Sequence, residues 1–129
     1  MHSQALTLPK LSHLGSRRVL LPASKSESNR ALIIQALCSP RPQLHNLSEA
    51  RDTQTLQRLL LSPERELNVL DAGTTMRFLA AYCSVSGREA LLTGTPRMLE
   101  RPIGPLVEAL QQLGAPIAYT KRPGYPPWP

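Results

Sequence analysis

Aromatic side chains are scarce in this sequence: one Trp, one Phe and three Tyr, 4% of 129 residues. A core must therefore be built from Leu, Ile, Val and Ala, and an apolar fraction of 41% is enough to exclude disorder throughout. The few aromatics do not interleave with basic residues, so the stacking platform of a single-strand nucleic-acid binder is missing. No apolar run approaches the ~20 residues that a membrane helix needs. The first ten residues, MHSQALTLPK, hold nothing like the apolar centre of a secretion signal. Cysteine is limited to Cys38 and Cys83, both in apolar, helix-like stretches, with no pair at zinc spacing. His2, His13 and His45 are dispersed, so no metal centre is expected. Neither a Gly-x-Gly-x-x-Gly fingerprint nor a Walker-type loop occurs. These absences lead to the expectation of a cytoplasmic protein with reduced, buried thiols and no membrane partner.

Acidic residues are also in deficit, 9 against 15 Lys and Arg, a net charge of +6. Such an excess suits nucleic acid, an acidic membrane surface or a small anionic ligand. The basic residues are spread among separate motifs and do not line one helix face, which favours the small anion. A free-standing anion-binding or nucleic-acid-binding module without catalysis remains the competing reading.

Apolar spacing alternates between the two regular periods. Gln4–Leu8 and Arg17–Leu21 read as strands, with Gly15 in the turn between them. Lys25–Leu37 is helical, with Leu32, Ile33, Ala36 and Leu37 on one face, and Pro40 and Pro42 end it. A short strand at Leu44–Leu47 is followed by a helix over Thr53–Leu61, where Asp52 is placed to cap and Leu56, Leu59 and Leu60 face inward. Leu67–Leu70 reads as a strand, Gly73–Ser84 as a helix with Met76, Leu79, Ala80 and Cys83 inward, and Ala90–Thr93 as a strand. The next helix starts near Pro102 and uses Ile103, Leu106, Val107, Leu110 and Leu113, with Gly114 as its cap. Ile117–Thr120 is a last strand before Gly124-Tyr-Pro-Pro-Trp-Pro. Alternating strands and helices define an α/β class.

Three helix starts carry cations. Ser24-Lys-Ser-Glu27 has the form of a capping box, and its helix start exposes N–H groups beside Lys25, Ser26 and, one turn on, Arg30. Asp71-Ala-Gly-Thr-Thr-Met-Arg77 offers Asp71 as a cap, Gly73 for close approach of a ligand, and Arg77 one turn inside. Gly94-Thr-Pro-Arg97-Met-Leu-Glu-Arg101-Pro102 puts two arginines before a proline-started helix. Each segment also fits a plain reading: a capped surface helix, a tight turn with a structural arginine, and solvated loop arginines. Together they read as anion clamps, because loops that begin helices after parallel strands gather on one sheet edge. Ser24–Leu32 and Asp71–Leu79 form a faint repeat, with Arg seventh and Leu ninth in each.

The stretches Leu21-Pro-Ala-Ser-Lys-Ser-Glu-Ser-Asn-Arg-Ala-Leu32, Asp71–Arg77 and Gly94–Ile103 resemble, in order and spacing, the EPSP synthase family of enolpyruvyl transferases. The resemblance runs over nearly the whole chain. It implies transfer of the enolpyruvyl group of phosphoenolpyruvate to the 5-hydroxyl of shikimate 3-phosphate, with loss of phosphate and no cofactor, on the shikimate route to chorismate and the aromatic amino acids. It implies that Lys25 is catalytic and touches both substrates, that Ser26 and Arg30 hold shikimate 3-phosphate, and that Gly73 and Arg97 hold phosphoenolpyruvate. Glyphosate would pack at the same glycine. Asp71 and Arg77 become a helix cap and a supporting residue.

Members of that family are much longer, and the implied fold is an inside-out α/β barrel of two domains, each made of repeated βαβαββ units. On that pattern residues 1–21 are strands of the domain completed by a C-terminal half. Residues 22–129 are the incomplete first part of the other substrate-binding domain, so the chain alone is expected to be inactive. Asp71, Thr75 and Phe78 stand where many members have Asn, Ala and Pro. The segment between Leu61 and Asp71 is shorter than usual for the family.

Overall fold

Ser24 opens the first helix in the way its spacing predicts. In the computed structural model, which describes residues 6–13 and 15–127, its hydroxyl accepts the Glu27 N–H at 3.3 Å and α1 runs over Lys25–Leu37. The elements that follow are α2 (Arg51–Leu61), β1 (Glu66–Asn68), α3 (Gly73–Ser86), β2 (Leu91–Thr93), α4 (Pro96–Leu99) and α5 (Gly104–Gln112). α3 stops at Gly87, whose φ of 67° is the left-handed conformation that closes a helix. The class is α/β. β1 and β2 pair in parallel, Leu67 opposite Leu92, with α3 as the crossover between them.

Several expected boundaries move. Asp52 does not cap α2; the cap position is Ala50, and Asp52 lies inside the first turn, where a carboxylate suits the positive end of the helix. α4 was hidden in what reads as a loop, although Thr95-Pro96 is a cap followed by a first-turn proline. α5 begins at Gly104, with Pro105 and not Pro102 in its first turn. Its leading N–H groups, on Ile103 and Gly104, both donate to the Gly124 carbonyl, at 2.9 and 3.2 Å.

Four strand expectations fail: among the described residues only β1 and β2 pair. Arg17–Leu21 and the described part of Gln4–Leu8 are not strands, and Val19, Leu20 and Leu21 are all exposed; Gln4 and Ala5 lie outside the described residues, as do Trp128 and Pro129. Leu44–Leu47 is broken by Asn46, whose φ of 55° is not extended. Ile117–Thr120 turns back on itself, its ends tied by Ile117 N–H to Ala115 O and Thr120 N–H to Pro127 O.

α3 is the central helix, packed against α1, α2, β2 and α5. Its Met76 and Leu79 meet Leu56 and Leu59 of α2, Leu67 and Leu92 of the strands, Met98 of α4 and Val107 of α5 in one aliphatic core. The inward assignments in α2 and α3 hold. α1 differs: it buries Ser28, Asn29 and Leu32, while Leu37 is exposed. Leu113 is exposed as well. Both thiols are free, but Cys38, just past the end of α1, is exposed and not buried. Cys83 is half-buried, and that burial pushes its thiol pKa up, partly opposed by the nearby Arg88 charge.

Arg88 is a bracing residue that periodicity could not reveal. Its guanidinium donates to the carbonyls of Leu59, Ser62 and Glu64 at 3.2, 2.6 and 3.1 Å, covering acceptors that the end of α2 leaves open. Gly94 has a packing role, because a Cβ there would stand 2.6 Å from the Leu70 carbonyl and 2.7 Å from Met98.

Two stability predictions follow from these contacts. Arg88→Ala is expected to lower unfolding free energy by about 2–3 kcal/mol, with Arg88→Lys recovering part of it. A urea midpoint equal to wild type in the alanine variant would remove Arg88 from this role. Gly94→Ala must push apart two backbone segments and is expected to cost about 1–3 kcal/mol. Calorimetry showing an unchanged melting temperature would contradict the close approach.

Candidate functional site

The first turns of three helices meet. Lys25 Nζ, on the first residue of α1, lies 3.1 Å from Asp52 Oδ2 on α2, the one ion pair among the described residues. The Thr75 hydroxyl, on the first turn of α3, donates to the Asp52 backbone carbonyl at 3.1 Å. Asp52 thus joins the start of α1 to the start of α3, a role the sequence did not reveal because only tertiary contact creates it. The Lys25 side chain is 51% exposed, so its ammonium faces solvent as well as its partner.

The α1 cations are arranged within one turn. Arg30 donates to Ser26 Oγ at 2.6 Å and to the Ser26 carbonyl at 3.5 Å. Arg77 makes the corresponding bond on α3, to the Gly73 carbonyl at 3.0 Å, four residues back. Its second nitrogen reaches Pro102 O at 3.2 Å and ties α3 to the approach to α5. The faint repeat therefore has a structural counterpart, since the two arginines in seventh position each close back on their own helix start.

Asp71 does not cap α3. The cap position is Ala72, without a side-chain bond, and the Asp71 carboxylate instead accepts the Thr95 hydroxyl. Thr95 in turn caps α4, accepting the Met98 N–H at 3.4 Å. Gly73 is buried beneath Arg101: a Cβ on it would lie 2.6 Å from one terminal nitrogen of that guanidinium. Arg101 thus stands over the positive end of α3, a placement that sequence reading assigned only to a loop. Arg97, on α4, is exposed and makes no hydrogen bond or ion pair among the described residues.

The contacts draw Lys25, Asp52 and Thr75 together at one place, and Gly73, Arg77 and Arg101 together at the start of α3. The result is an open cationic face. Three cavities among the described residues lie away from these two clusters: about 340 Å³ beside Cys83 and Arg88, about 370 Å³ between the apolar sides of α1 and α3, and about 240 Å³ behind Ser24 and Ser28. Among the described residues no cluster of three or more His, Cys, Asp or Glu could hold a metal, and no helix is long and apolar enough to cross a membrane.

The chain is similar to known proteins over most of its length. Relatives described as 3-phosphoshikimate 1-carboxyvinyltransferase include one from Bacteroides fragilis strain YCH46, 50% identical over 109 residues, covering 84% of this chain and 27% of that protein. Another, from Proteus mirabilis strain HI4320, is 37% identical over 150 residues, covering 96% of this chain and 35% of its own length. With 96% matched, the Lys25 segment lies inside the similarity. The 150-residue match exceeds the 129 residues here, so it skips residues that this chain lacks. The chain spans about a third or less of the length of these relatives. The family model described as EPSP synthase (3-phosphoshikimate 1-carboxyvinyltransferase) matches residues 56–129, more than half of the chain, from the middle of α2 through α3, α4 and α5, and the chain belongs to that family.

Proposed function

We propose that this chain forms one wall of an active site that transfers the enolpyruvyl group of phosphoenolpyruvate to the 5-hydroxyl of shikimate 3-phosphate, releasing phosphate. The observation that supports it most directly is the meeting of Lys25 with the starts of α2 and α3 on an open cationic face. Both substrates carry several negative charges, and helix N-termini with lysine and arginine suit them. In this reading Lys25 contacts phosphoenolpyruvate and the reacting hydroxyl, and Asp52 orients its ammonium. Ser26 and Arg30, already joined, hold shikimate 3-phosphate. Gly73 and Arg97 receive phosphoenolpyruvate, and glyphosate would compete there. No cofactor is required, since C–O bond formation gives a tetrahedral adduct from which phosphate leaves.

The open face needs a second wall. The reading assigns residues 22–129 to one substrate-binding domain and residues 1–21 to the other, in a two-domain barrel of repeated βαβαββ units. The parallel β1–α3–β2 unit is compatible with such a repeat. Closure of two domains would exclude water and bring both substrates into attack geometry. A cytoplasmic location and independence from nucleic acid belong to the same proposal.

The test is a chimera in which this chain replaces the matching 27% of the Bacteroides fragilis relative. Phosphate release with both substrates is expected, and a folded chimera without turnover would overturn the proposal. In that background Lys25→Ala and Arg97→Ala should each lower kcat/KM by about thirtyfold to several hundredfold, the scale of about 2–4 kcal/mol for a charge-assisted contact in a closed site. Near-normal values in both would reject these roles. The 129-residue chain by itself is expected to show no turnover and only about millimolar affinity for shikimate 3-phosphate in calorimetry, roughly −4 kcal/mol. Micromolar binding by the monomer would show that one wall is sufficient.

A further inference from the structure

α4 has four residues, too few to hold an orientation by its own hydrogen bonds. It must be held by tethers, and three are visible. Met98 is fully buried and anchors its inner side. Thr95 N–H donates to the Leu70 carbonyl at 3.2 Å and continues the strand pairing by one step. The Thr95 hydroxyl donates to Asp71. The last tether alone reaches from a side chain at the start of α4 to the loop that leads directly into Gly73.

The chemistry of this contact explains why an acid serves here. A threonine hydroxyl has one proton and two lone pairs. A carboxylate can only accept, so Asp71 accepts the hydrogen bond of the Thr95 hydroxyl and leaves its lone pairs for the Met98 N–H, which is the cap of α4. The direction of the hydroxyl, the cap and the placement of the helix are set together. At the other end of the same short segment Arg101 lies over Gly73. α4 is therefore tied to the loop before α3 by the Asp71–Thr95 bond, while Arg101, beyond its other end, lies over Gly73, with Arg97 between the two contacts.

We infer that Asp71 is a positioning residue for Arg97: its carboxylate holds Thr95, and through Thr95 the four-residue helix that presents Arg97 beside the start of α3. The functional meaning rests on the proposed role of Arg97 in phosphoenolpyruvate binding, but the positioning itself does not.

The experiment uses the 15N-labelled 129-residue chain with Asp71→Ala, Asp71→Asn, Thr95→Val and the Asp71→Ala/Thr95→Val double variant. Heteronuclear NOEs are read at the Thr95–Leu99 amides and the Arg97 Nε–H, with Leu67 and Leu92 as controls. Asp71→Ala and Thr95→Val should each lower the NOEs in α4 and leave the controls unchanged, the double variant should add nothing further, and Asp71→Asn, which keeps an acceptor oxygen, should stay near wild type. With phosphoenolpyruvate as the probe, the two disrupting variants should bind about threefold to tenfold more weakly. Unchanged α4 NOEs in both single variants would overturn the inference. So would a loss of order spread evenly to the controls, which would make Asp71 a general stabiliser. If α4 loosens as expected while phosphoenolpyruvate shifts no α4 resonance in the wild type, positioning is upheld and the role of Arg97 in substrate binding is what falls.

Discussion

Three helix starts carry partial positive charge into the same small region, and a single residue reconciles them. Asp52 meets the Lys25 ammonium with its carboxylate and the Thr75 hydroxyl with its backbone carbonyl. Its own place in the first turn of α2 is favourable for a negative group. Without such a counter-charge, the N-termini of α1, α2 and α3 and the lysine would repel one another at close range. The face that results is cationic, with its repulsion offset at Asp52.

How much of this could be read beforehand depended on the range of the interaction. Ser24 and Gly114 act within a few residues of themselves, and caps and terminators are local by nature. The inward faces of α2 and α3 repeat at helical spacing and were equally legible. Asp52, Arg88 and Arg101 were not, because each acts on a segment at least 23 residues away in sequence. Asp71 was misassigned for the same reason: its nearest sequence neighbours offered a cap, but its partner is Thr95. The failed strands have another cause. Alternating side chains mark a segment that can be extended, and only a neighbouring strand makes it so.

The two arginine closures, Arg30 onto Ser26 and Arg77 onto Gly73, show the repeat at the level of contacts. The halves are not equivalent around them. α3 is fed by β1 and delivers the chain to β2, so its start is held by a parallel ladder and by the Leu70–Thr95 bond. Among the described residues α1 has no strand before it. The same motif is thus supported by sheet pairing in one case and by helix packing alone in the other.

That difference bears on how the molecule opens. α1 seals its seam with α2 and α3 by burying Ser28, Asn29 and Leu32, so Leu32 is its only fully buried apolar side chain, whereas α3 buries Met76, Leu79, Ala80 and Tyr82. Burial of apolar area is the main term that resists separation, and elements with little of it belong to the low end of the ladder of partial unfolding. Native-state hydrogen exchange should then sort the amides of α1 into a faster cooperative unit than those of α3. Lys25 rides on that looser unit, and any anion that requires the docked lysine would draw α1 onto the core by mass action.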